Sequence, residues 1–196
     1  MSEPSGEHVD PVVAFESAKL GVWTFLATEV LLFGALFTAY TVFRMKYPEM
    51  FHAEHAKLDR VLGAVNTVVL ITSSLMVVFG VDAIKRGKAR LFEACFGATI
   101  LLAGVFLCVK YVEYSEKFHH GIYPRTNIFF SIYFMLTGLH GVHVLIGMGL
   151  LSYVIVLSRR GRLSADYFTP AEMSGLYWHF VDLVWIYLFP LLYLIG

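Results

Sequence analysis

The sequence predicts an all-α fold, a polytopic membrane bundle of five transmembrane helices. Hydrophobic side chains make up 58% of its 196 residues and charged ones only 15%. The charges gather in short clusters, and the neutral runs between them are long. At about 1.5 Å per residue, each run can cross a hydrocarbon core about 30 Å thick. Acidic and basic residues balance at 15 each, so no net field draws nucleic acid or an acidic substrate.

Residues 1–17 read as a polar tail, and its acidic start lacks the basic segment and cleavage site of a signal peptide. The remainder, 18–196, reads as a single membrane domain with no internal repeat. Its first span covers about 18–43 and carries one carboxylate, Glu29, near its middle. Gly34, Ala35, Thr38 and Ala39 give this span a small-residue face suited to close helix contact. A charged connector with His52 and His55 follows, then a second span over about 61–83. That span is rich in small and hydroxylated residues, including Gly63, Asn66, Thr67, Ser73 and Ser74, so it is expected among helices more than in lipid.

A tight basic turn, IKRGKAR, leads to the third span at about 91–115. Lys110 and Glu113 close its neutral stretch, and their spacing of three residues makes them a candidate interface pair. The fourth span, about 127–157, contains His140 and His143 as its only titratable groups apart from tyrosine. A second basic turn precedes the fifth span, about 174–195, which holds His179 and Asp182. Lys and Arg concentrate in the turns at 85–90 and 159–162, so the N-terminus is expected inside and the C-terminus outside. Cys95 and Cys108 lie on one helix about 20 Å apart and cannot pair with each other.

An ionised carboxylate in the middle of a bilayer is costly, so Glu29 must find a partner, face other helices or keep its proton. Counted in residues from the membrane edge, Glu29, His143 and Asp182 fall at similar depths, bracketed by His140 and His179. These five form a candidate intramembrane polar cluster, structural or functional. Their types suit a metal, but membrane di-metal enzymes use many more histidines, and none of these five residues belongs to a Glu-x-x-His pair of the kind found in di-iron bundles. No C-x-x-C-H attaches a haem. Interhelical bonding is the expected role. Tyr177, Trp178 and Tyr193 are expected at the membrane interface, whereas Trp185 and Tyr187 lie too deep for it.

Several stretches together resemble subunit III of the haem–copper terminal oxidases. They are KLGVWTFLATEVLLFGALF (19–37), NTVVLITSS (66–74), EY (113–114), TGLHGVHVLIG (137–147) and WHFVDLVWIYLF (178–189). The resemblance implies a non-catalytic subunit of the aerobic respiratory chain in the bacterial inner membrane, bound to oxidase subunit I and to other oxidase subunits. It implies no haem, copper or other cofactor in this chain, the redox centres being expected in the partners. It further implies that the subunit keeps subunit I working through turnover, supports proton uptake and binds phospholipid. Glu29 falls on the family's intramembrane glutamate, His140 and His143 on its paired histidines, and His179 and Asp182 on its WHFVD pair.

The chain lacks the first two helices of the seven-helix form and so is similar to the shorter bacterial form. It also departs from the family at Lys110, often glutamine, and at Gly80–Asp82, where paired histidines are often found. Those changes put the family's lipid contacts at that end in question. Subunit III of a quinol oxidase and the subunit-III-like accessory protein of nitric oxide reductases share these features. A proton-coupled carrier using Glu29 is the reading outside this class. Against it stand the absence of an inverted repeat and of any proline inside a span before Pro190.

Overall fold

Hydrocarbon offers no water to solvate a bare peptide group, so a spanning segment must satisfy its backbone within itself, and helices do so. The computed structural model describes residues 11–165 and 167–195, all of whose regular structure is helical. The helices are α1 (Pro11–Lys46), α2 (Pro48–His55), α3 (Arg60–Lys85), α4 (Ala89–His119), α5 (Ile128–Arg159) and α6 (Thr169–Phe189). All but α2 are long and apolar enough to cross a membrane. The expected tail is partly helical, because α1 begins at Pro11 and not near residue 18; residues 1–10 lie outside the described residues.

Local chemistry sets most helix ends. Pro48 disfavours helix at Tyr47, whose φ is −130°, and then serves as the first residue of α2. The Asp59 carboxylate accepts from the Val61 and Leu62 amides at 2.8 and 3.0 Å, capping α3. Asn127 caps α5 through the Phe130 amide at 2.9 Å. α3, α4 and α5 each stop at a glycine with positive φ: Gly87, Gly121 and Gly161. The residue after each glycine donates back five positions, to Ala83, Lys117 and Leu157, which is the Schellman closure. Beyond α6, Pro190 has no N–H to continue the ladder, and the helix widens into a π turn over Pro190–Leu194.

The core lies among α3, α4, α5 and α6. Of the five long helices α6 is the most enclosed and α1 the least. α1 rests on α5 and α6 through a seam of three buried residues, Leu26, Phe33 and Tyr40, spaced by seven. Of its small-residue face, Ala35 and Thr38 are exposed, Gly34 and Ala39 are half-buried, and a Cβ on Gly34 would meet nothing within 4 Å among the described residues. The short α2 folds back over one end of the bundle. Phe51 is its wedge, edge-on to Tyr40 and Phe129 at 5.3 Å from each ring.

The small residues expected to bury the second span do so on one side only. Gly63, Asn66 and Ser73 face the core, while Val61, Val65, Val68 and Ile71 point outward. The interfacial placement expected for Tyr177, Trp178 and Tyr193 is overturned, since all three are buried. Trp178 goes inward because its indole N–H finds Ser73 Oγ at 3.1 Å and its ring fits against Gly147. Of the two aromatics expected deep, Trp185 is fully buried, whereas Tyr187 is 61% exposed on the outer face of α6.

Gly147 marks the tightest helix contact in this region, because an added Cβ would lie 2.8 Å from the Trp178 ring. Gly147→Ala should therefore cost about 1–3 kcal/mol despite alanine's better helix propensity. Gly149, one half-turn away with open space around it, should gain from the same change. Equilibrium unfolding in mixed detergent micelles checks the opposite signs.

Candidate functional site

The titratable groups inside the spans do not share one cluster; the structure sorts them into separate sites. Glu29 of α1 and His143 of α5 form the first, with Oε2 and Nε2 2.9 Å apart. His143 Nδ1 donates to the Leu139 carbonyl at 2.8 Å, which leaves Nε2 facing the carboxylate. Both side chains are largely buried, at 14% and 9% exposure, and Phe33 packs edge-on to the imidazole. Because α1 touches the bundle so sparingly, this is its one polar attachment to α5 among the described residues.

The second site joins α6 to α3. His179 Nδ1 and Ser74 Oγ lie 2.6 Å apart. Asp182, one turn further along the same face, has Ser74 as its polar neighbour, yet neither carboxyl oxygen completes a hydrogen bond. The third residue group centres on His140. This ring is fully buried between Phe106, edge-on at 5.5 Å, and Trp185 at 5.2 Å, and neither ring nitrogen has a hydrogen-bond partner among the described residues. His140 and His143, although three residues apart, therefore serve different neighbours: α4 and α6 for one, α1 for the other. Among the described residues no group of three or more His, Cys, Asp or Glu side chains converges as a metal-binding set.

The densest polar site surrounds Glu113, where the sequence offered only the pair with Lys110. Glu113 Oε2 accepts from Lys110 Nζ at 2.8 Å. Its Oε1 accepts from Tyr133 and Tyr193, both at 2.8 Å, and from Lys117 Nζ at 3.2 Å. Lys110 also donates to the Tyr193 hydroxyl at 2.6 Å. The Lys110 ammonium lies 4.7 Å from the Trp185 ring centre and 5.1 Å from that of Tyr193, an aromatic cage that lowers the cost of taking it out of water. Glu113 is 1% exposed and Lys110 7%, so the expected pair forms and is buried within the bundle. It ties α4 to α5 and to the π turn.

Lys117 was legible as the (i, i+4) neighbour of Glu113, as Lys110 is at (i, i−3). The contributions of Tyr133 and Tyr193 had no sequence signal, since each arrives from a distant helix. The same holds for the two indole bonds that pin α6 to α3, Trp178 to Ser73 and Trp185 Nε1 to Thr67 Oγ1 at 3.0 Å. Asn66, fully buried beside Thr67 with its amide unpartnered, was noticed only as a polar residue of the second span.

Comparison with known proteins gives consistent relatives. The family model described as cytochrome c oxidase subunit III matches residues 2–196. A cytochrome c oxidase subunit 3 from Thermostichus vulcanus is 38% identical over 177 residues, covering 90% of this chain and 86% of the relative. A quinol oxidase subunit 3 from Bacillus subtilis is 30% identical over 183 residues, 90% of this chain and 86% of the relative. A heme–copper oxidase subunit I+III from Aeropyrum pernix is 28% identical over 186 residues, 92% of this chain but 23% of that longer protein.

Two measurements separate the polar sites. Glu113→Leu leaves two ammoniums facing each other without a carboxylate and should cost about 3–5 kcal/mol, as removal of one partner from a buried ion pair does. Combining it with Lys110→Met should recover part of that loss, which a double-mutant cycle of unfolding in micelles reads directly. At the first site, Glu29→Gln keeps the shape and a hydrogen-bonding group for His143, whereas Glu29→Leu should cost about 1–3 kcal/mol by stranding the imidazole.

Proposed function

The chain belongs to the cytochrome c oxidase subunit III family of the haem–copper oxidases, and from that premise we propose how it serves the complex. It is a multi-pass bacterial membrane protein whose family is a component of the respiratory oxidase. In the proposed role it packs against subunit I, stabilises that subunit through turnover and supports proton uptake, with no redox centre of its own. The Aeropyrum pernix relative, named as subunits I and III in one chain, supports subunit I as the partner.

The observation that carries this reading is the contrast between the two sides of the molecule. Inside, α3 to α6 close around their own buried charges. Outside, Ala35 and Thr38 of α1 are exposed, and a Cβ on Gly34 beside them would meet nothing within 4 Å among the described residues. Small side chains at membrane depth let another helix approach closely, and van der Waals packing is what joins helices in lipid. The Glu29–His143 pair holds α1 in place for that contact. The N-terminus belongs inside on the distribution of Lys and Arg, and phospholipid is part of the proposal as well.

A second reading, the same role in a quinol oxidase, is supported by the Bacillus subtilis relative. Because the proposed contact is with subunit I, either electron donor is compatible with it.

Deleting the gene should leave the redox spectrum of the oxidase intact and its initial oxygen consumption near normal, followed by accelerated inactivation during turnover. Oxygen-electrode traces and haem spectra on one preparation test this. An oxidase with no initial activity and with haem missing from subunit I would assign the chain to cofactor insertion instead.

A further inference from the structure

We propose that His55 makes α2 a pH-sensitive latch, which holds the end of α1 on the bundle while the imidazole is neutral and lets go when it takes a proton. α2 follows α1 directly and folds back across the bundle. Its Phe51 stands edge-on to Tyr40 of α1 and Phe129 of α5, 5.3 Å from each. His55 closes the helix one turn beyond Phe51, on the same face. It is 2% exposed, and its Nε2 atom is buried with no hydrogen-bond partner among the described residues. A neutral imidazole can occupy such a seat. An imidazolium, with two N–H groups to satisfy and a charge taken out of water, cannot do so cheaply.

The groups that face His55 make a charge there harder still to hold. α1 brings Arg44 to it, α2 brings His52, and α3 brings Arg60. Arg44 and His52 also line one cavity of about 370 Å³ at the corner of α1 and α2. The π turn contributes the Tyr193 carbonyl as an acceptor, and α5 the apolar Phe129 beside Phe51. The carboxylates of these elements are turned elsewhere. Glu54 is 2.7 Å from Lys57, Asp59 caps α3, and Glu49 stands in the first turn of α2. Glu113 meets Tyr193 at its hydroxyl, the far end of that side chain. Burial first, then Arg60, Arg44 and His52, hold the imidazole below its usual range, with the Tyr193 carbonyl opposing them.

Once α2 swings away, His55 is an ordinary histidine in water, with a pKa near 6.5. Above that value the imidazole is neutral in both positions, and the packing of Phe51 and His55 keeps the helix seated. As the pH falls through it, the released imidazole takes a proton that the seated one does not, and the balance moves toward release. Between about pH 7.5 and about pH 5.5 the ratio of released to seated helix should rise about tenfold. Release uncovers the end of α1 at Tyr40 and the π turn whose Tyr193 serves Glu113. With the N-terminus inside, as proposed above, α2 lies outside and reads the external pH. Any consequence for the contact with subunit I rests on the proposed role of α1; the latch itself does not.

Hydrogen–deuterium exchange of the intact oxidase tests the latch, read on α2 peptides across this pH range and corrected for the intrinsic pH dependence of amide exchange. In the wild type, opening of α2 should increase about tenfold, with the rise setting in near pH 6.5. His55→Asn and His55→Gln each keep a polar group of similar reach and should give flat profiles. His52→Gln, at the exposed neighbour, should keep the wild-type response. A flat wild-type profile overturns the proposal, as does a pH response that persists in both His55 variants or vanishes in His52→Gln. Should both His55 variants leave α2 open at every pH, the wild-type profile decides, and a rise that sets in away from the histidine range rejects the latch. Native mass spectrometry of the same samples reports separately whether subunit I is retained, so a failed latch and a failed docking face give different results.

Discussion

Placing a carboxylate inside a membrane protein commits the surrounding helices, and Glu113 is where this chain makes that commitment. Two lysines and two tyrosines converge on its oxygens, from α4 itself, from α5 and from the π turn beyond α6. None of these groups can be removed without leaving another buried group short of a partner. The π turn acquires its purpose here. Pro190 ends the regular ladder of α6, and the widened turn that follows carries Tyr193 into the Glu113 site. Trp185 completes the arrangement, since its ring faces the Lys110 ammonium and also packs with His140.

Away from Glu113 the polar groups are less fully served, and the difference follows the architecture. Among the described residues α1 meets the bundle through the Leu26, Phe33 and Tyr40 seam, the stacking of Phe25 on Tyr177 and the pair of Glu29 with His143, and it is the least enclosed of the long helices. A helix held so lightly within its own chain suits one that is completed by a neighbouring subunit. The side chains of His140, Asp182 and Asn66 are buried without hydrogen-bond partners among the described residues. Buried polar groups are ordinarily satisfied by protein or by ordered water, so these three are the points in the bundle to inspect for bound water in the assembled complex.

The five spans, their order and the glycine-bearing turns were all legible in the sequence. Length, hydropathy and helix-stop chemistry are local properties, and local properties survive without knowledge of neighbours. The resemblance to subunit III was legible too, because its motifs are short and contiguous. Other features depended on distant segments. Nothing near Tyr193 or Trp178 shows that their polar atoms are met by Glu113 and Ser73, so an interfacial position was the natural expectation from the sequence. The face of α5 that His140 and His143 share says nothing of their division between different helices. Sequence determined which segments cross the membrane and which side chains needed partners there; only the tertiary packing decided which partners they obtained, because in hydrocarbon that choice depends on which helices lie side by side.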